Sequence, residues 1–131
     1  MSYSHAAATY REREIRTASP GRLVVIVFDH VLASFNRARV AHANGMIEQR
    51  LEAVAKARDG ITELLATLDE ERGGAIATQL RTLYTFLLAQ IADAGVRFDD
   101  AKIVRLSGIV TELRDAFAAI AAEPVAQSPA A

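Results

Sequence analysis

A chain of 131 residues with 24% charged side chains and a formal net charge of -1 fits one domain with a core of moderate size. That balance excludes the basic footprint of a nucleic-acid binder and any general attraction to anionic membranes. The lack of cysteine excludes disulfides and thiolate metal sites and accords with a cytoplasmic location. No basic segment followed by an apolar run opens the chain, and no stretch approaches about 18 consecutive apolar residues, so neither a signal peptide nor membrane insertion is expected.

Residues 1–18, MSYSHAAATYREREIRTA, read as an N-terminal arm. The run YREREIR is a solvated stretch, and Tyr10 and Ile15 cannot join a helical stripe across Pro20, so each is either exposed or folded back. Ser19-Pro20 is a helix start, with serine as N-cap and proline at the first helical position, where a missing N–H costs nothing. LVVIVF alone would also suit a buried strand. Beyond Phe28 the spacing becomes helical through Val31, Leu32, Phe35 and Ala38, which predicts helix one over 20–43. Asn44-Gly45 and Gly73-Gly74 are the glycine punctuation of helix ends. Between them Ile47, Leu51, Val54, Arg58, Ile61, Leu65 and Leu68 predict helix two over 46–71, with the aliphatic stem of Arg58 packing in the seam.

Helix three is unusually apolar. At about 100° per residue a core seam of Ile76, Leu80, Leu83 and Leu87 is extended on one side by Ile91, Tyr84, Ala77 and Leu88, and Phe86 lies on the other side. The apolar arc is nearly 200° wide, about twice what a bundle helix needs. Helix four, over about 100–122, has a seam of Ile103, Leu106, Val110, Leu113, Phe117 and Ile120 with Asp99 or Asp100 as N-cap. The tail 123–131, EPVAQSPAA, has nothing to bury and is expected to be disordered.

Four such helices with short connections predict an all-α fold, an antiparallel up-down four-helix bundle over 19–122 flanked by the arm and the tail. The wide face of helix three has two readings. It is covered by the arm as the most buried helix, or it is a groove for an apolar partner helix or a second copy, which makes a weak homodimer possible. Chemistry is sparse. His5, His30 and His42 are scattered, and no Glu-x-x-His pair exists to build a di-iron site, so no metal or cofactor is expected. His30 should face solvent, as a phosphotransfer histidine would, yet HVLASFNRA lacks the lysine and glycine that follow such a histidine. Asp99-Asp100 reads as a cap. No catalytic residue emerges, and an enzyme is not expected; a phosphotransfer or self-association module remains the alternative to a binding protein.

TASPGRLVVIVFDHVL resembles the start of the flagellar secretion chaperones, the FliS family, with its Thr-Ala-Ser-Pro followed by apolar residues and an aromatic-aspartate pair. KARDGITELLATLDEERGGAIATQLRTLYTFLLAQIADA is similar to the family's second and third helices, and ELRDAF to the start of its closing motif. The resemblance covers roughly residues 10 to 120. Gly21-Arg22 stands where glutamates are common, Phe28 for a tyrosine, His30 for a glycine, Gly95 for an asparagine and Phe117 for a tryptophan. The resemblance implies a cytoplasmic chaperone that binds the C-terminal segment of flagellin in apolar grooves, prevents premature polymerisation and assists delivery to the flagellar type III export gate. On that basis the groove is expected on the outer flank of helices two and three, at Leu64, Leu68, Ala77, Tyr84 and Leu88, with Val104 and Ile109 as further candidates. Tyr10, with Ile15 beside it, matches an arm tyrosine that contacts the export gate; the competing expectation is that the arm is a lid over the groove.

Overall fold

The computed structural model describes residues 20–122; the arm with His5, Tyr10, Ile15 and Ser19, and the tail, lie outside the described residues. Four helices run up and down: α1 Pro20–Ala43, α2 Ile47–Ala66, α3 Glu70–Val96 and α4 Asp100–Ala121. The α1–α2 turn is made by Gly45, whose φ of 68° suits glycine. There the amides of Gly45 and Met46 donate to the carbonyls of His42 and Ala41 at 3.1 and 2.8 Å, closing the last turn of α1. At the α3–α4 junction Asp99 caps α4, accepting from the amides of Ala101 and Lys102 at 3.1 and 3.4 Å.

The α2–α3 connection differs from the expectation. α2 stops at Ala66 rather than 71, because Thr67 turns its hydroxyl onto the carbonyls of Glu63 and Leu64 and Asp69 opens a new helix by accepting from the amide of Arg72 at 3.1 Å. Gly73-Gly74 therefore lies inside α3, where Gly74 breaks the helical path with φ 54° and ψ -129°.

The closest helix pairings are α1 with α2, α1 with α4, and α2 with α3. Small residues set the first of these: Ala38 and Ala41 of α1 and Ala53, Ala57 and Gly60 of α2 are buried, and a Cβ on Gly60 would lie 2.5 Å from Cγ2 of Val31. The buried face of α2 is consequently Ala53, Val54, Ala57, Gly60, Ile61 and Leu64, rotated toward α1 from the expected seam. Ile47, Leu51 and Arg58 are exposed. Phe28, Phe35, Ile61, Leu87, Ile91, Ile103 and Val110 fill the centre, each contributing about 1.5–3 kcal/mol by burial.

Two stretches far apart in the chain meet in space. Phe28 and Asp29 of α1 face Phe117 and Arg114 of α4, with the rings 5.7 Å apart and Arg114 Nε donating to Asp29 at 2.8 Å. Arg39 holds Asp100 by both carboxylate oxygens, at 2.8 and 3.2 Å. At the same end His42 stacks on Phe98 at 4.5 Å, and Arg50 lies over that ring while donating to His42 Nδ1 at 3.3 Å.

Candidate functional site

The buried residues of α3 are Ala77, Tyr84, Leu87, Ile91 and Ala94. This face is rotated by about 40° from the seam expected at Ile76, Leu80, Leu83 and Leu87, at 100° per residue. A 200° apolar arc does not specify its own centre. The two small residues, Ala77 and Ala94, turn inward where helices approach, and bulkier neighbours are displaced outward.

The rotation decides which apolar residues are left over. Ile76 is 69% exposed and Phe86 46% exposed, with Leu83 half-buried between them. They lie on the flank of α3 toward α4, since the opposite flank, at Gly95, lies 3.9 Å from Val54 of α2. On α4 the flank toward α3 carries Lys102, whose Nζ donates to Asp93 of α3 at 2.6 Å and holds that carboxyl below the usual carboxylate range. The same flank of α4 carries Ile109, Leu113 and Ile120, the last 64% exposed instead of closing the core seam. The register set by Asp93 and Lys102 brings Phe86 level with Ile109, Leu83 with Leu113, and Ile76 with Ile120. α3 and α4 are neighbours without the close backbone approach of the other pairs, because large side chains rather than alanines line their seam. The result is a strip of exposed and half-buried apolar side chains along the α3–α4 side, with the Asp93–Lys102 ion pair at one end.

Of the residues expected to line a groove on the α2–α3 flank, three are corrected by this placement. Leu64, Ala77 and Tyr84 belong to the core, at 4%, 3% and 2% exposure. Burial pushes the Tyr84 phenol up to about 12, and its ring lies 6.3 Å from Phe28. Leu68 and Leu88 are half-buried and pack against the core. Val104 is exposed on the other side of α4 from Lys102, and half-buried Ile109 is the one expected site residue on the α3–α4 strip. Ile76, Leu83, Leu113 and Ile120, expected in core seams, line this strip together with Phe86, whose off-seam position is its signal in the sequence.

Nothing in the described region suggests covalent chemistry or a metal. No group of three His, Cys, Asp or Glu side chains among the described residues could hold a metal ion, and no helix there is long and apolar enough to cross a membrane. His30 is exposed on α1, as expected. The fold is an all-α four-helix bundle that leaves a strip of apolar side chains along one side. The model of the family described as "Flagellar protein FliS" matches residues 3–124, and the chain belongs to that family of flagellar secretion chaperones, which are not enzymes. It is 33% identical to the flagellar secretion chaperone FliS of Salmonella typhimurium over 107 residues, covering 81% of this chain and 79% of the relative. It is 30% identical to that of Campylobacter jejuni over 117 residues, covering 89% and 91%, and 26% identical to that of Bacillus subtilis, covering 89% and 86%.

Proposed function

We propose that this protein is a cytoplasmic chaperone that takes up the C-terminal segment of flagellin along the α3–α4 strip, keeps it from premature polymerisation and passes it to the type III export apparatus. The observation that carries this reading is the apolar strip of exposed Ile76, Phe86 and Ile120 beside half-buried Leu83, Ile109 and Leu113 in a member of a flagellar export chaperone family. An assembly-prone chain end that folds onto such a strip is removed from solution by coupled folding and binding, with the ordering entropy offset by buried apolar area. Masking and release need no reaction.

The test is calorimetric titration of the full chain with a peptide of the flagellin C-terminal segment. Phe86→Asp places a charge in the strip and is expected to weaken binding by about 2 kcal/mol or more, roughly 30-fold, while circular dichroism stays helical. Unchanged affinity in the folded variant removes Phe86 and the strip from the proposal. Light scattering without peptide separates the client from a second copy of the chain: a dimer that Phe86→Asp dissociates and that flagellin does not compete away would favour self-association through this surface. Tyr10 and Ile15 of the arm are proposed as the export-gate contact. Tyr10→Ala should then bind flagellin normally and lose gate association and motility, whereas tighter flagellin binding with intact motility would make the arm a lid.

A further inference from the structure

Glu70 and Arg81 form an ion pair eleven residues apart within α3. In an unbroken helix their Cα atoms would be separated by about 16 Å along the axis, whereas the two side chains reach at most about 12 Å together at ~1.5 Å per bond, and the hydrogen bond between them adds only about 3 Å. The contact is possible because the helical path kinks at Gly74, whose φ of 54° and ψ of -129° lie where L side chains are strained. A second observation is independent of the ion pair. A Cβ built on Gly73 would stand 2.6 Å from the Cβ of Ala77, against about 5–6 Å for positions four apart on a regular helix. The turn Glu70–Gly73 is thus folded down onto Ala77, and Ala77 is only 3% exposed. Arg81, Ala77 and Leu88 share the flank of α3 toward α2. The segment that folds back over this flank begins at Leu68 and Asp69, and Leu68 packs against the core.

We propose that the turn Glu70–Gly73 is a latch, hinged at Gly74 and held shut by Glu70–Arg81, that closes the α2–α3 flank over Ala77. Any partner reaching that flank must first displace it. Only the glycine pair fits the closed state: a side chain at 73 collides with Ala77, and one at 74 is strained. Both members of the ion pair are near half-exposed, with side-chain exposures of 48% and 43%. Their attraction is therefore screened by salt, and the latch opens more readily as ionic strength rises.

The chain has no cysteine, so Ala77→Cys introduces a single thiol under the latch, and its rate of reaction with a small disulfide reagent reports opening. In that background Glu70→Gln and Arg81→Gln are each expected to speed labelling by about 2- to 5-fold, the range of an exposed ion pair, and the double variant to add nothing further. Raising salt from ~0.02 M to ~1 M, where the screening length falls to about 3 Å, should speed labelling of the Ala77→Cys chain and leave the same chain carrying Glu70→Gln unchanged. Leu87→Cys, in the core away from the turn, is the control for global opening. Labelling of the thiol at position 77 that ignores Glu70→Gln and salt overturns the latch, and so does an equal rise for the thiol at position 87 in the control chain.

Discussion

Gly60→Ala tests how the bundle is set by its smallest residues. In an exposed helix this change stabilises by about 1 kcal/mol, because glycine has more backbone freedom to lose. Here the new methyl would lie 2.5 Å from Val31 Cγ2 and 3.7 Å from Val27 Cγ1, and Val31 is fully buried. Valine in a helix has one strongly preferred rotamer, so Val31 cannot swing its methyl away, and α1 must move off α2. Overpacking of this kind costs about 1–3 kcal/mol. The added separation also loosens the close α1–α2 packing, which places the cost at the upper end of that range. The net expectation is a loss of about 1–2 kcal/mol. Val31→Ala alone should cost about 2–3 kcal/mol through lost burial and a residual cavity. In the double variant the new methyl occupies the space vacated by Val31, so the combined loss should fall short of the sum by at least ~1 kcal/mol. Urea unfolding with a constant m-value measures all four chains. A Gly60→Ala chain more stable than the parent, or strict additivity with Val31→Ala, would refute the claim that glycine is required for helix approach.

Phe117 is half-buried against Phe28 rather than fully enclosed, so Phe117→Ala should cost about 2–3 kcal/mol, below the range of a wholly buried ring; an unchanged melting midpoint would show that the ring contributes no packing. Tyr84, with its phenol pushed up to about 12, keeps its proton in the folded chain where unfolded tyrosine ionises near 10. Stability from this group is complete below pH ~10 and is lost as pH rises toward about 12, so Tyr84→Phe should flatten the alkaline fall in melting temperature. Asp100 is held below its usual range by its hydrogen bond to Arg39, so this contribution is present above the ordinary carboxylate range and lost as pH falls through it. The stability difference between the parent and Arg39→Gln should therefore shrink on acidification from pH ~6 to ~3, and a difference that grows would contradict the assignment.

Local sequence rules decided the helices and several of their ends. Asp99 at the start of α4 and Gly45 after α1 act where their chemistry predicts, because capping and positive φ involve only a few neighbouring atoms. The seam of Ile103, Leu106 and Val110 was legible because its three- and four-residue spacing leaves one face to bury. The α2–α3 junction departs from the sequence expectation because Gly73-Gly74 is a stronger turn signal than Thr67 and Asp69, yet the carboxylate cap at Asp69 restarts the helix first. What only the tertiary structure decided is how α2 and α3 rotate about their own axes. Each has more than one apolar stripe, and periodicity measures the width of an apolar arc without fixing which part faces inward. The choice is made by steric contact between helices far apart in sequence: alanines and Gly60 draw α1 and α2 together, Ala77 and Ala94 turn inward, and the bulk of Phe86, Leu83 and Leu113 keeps α3 and α4 apart. Tyr84 and Leu64 went into the core for that reason, and Ile76 and Phe86 were left exposed on the other side of α3.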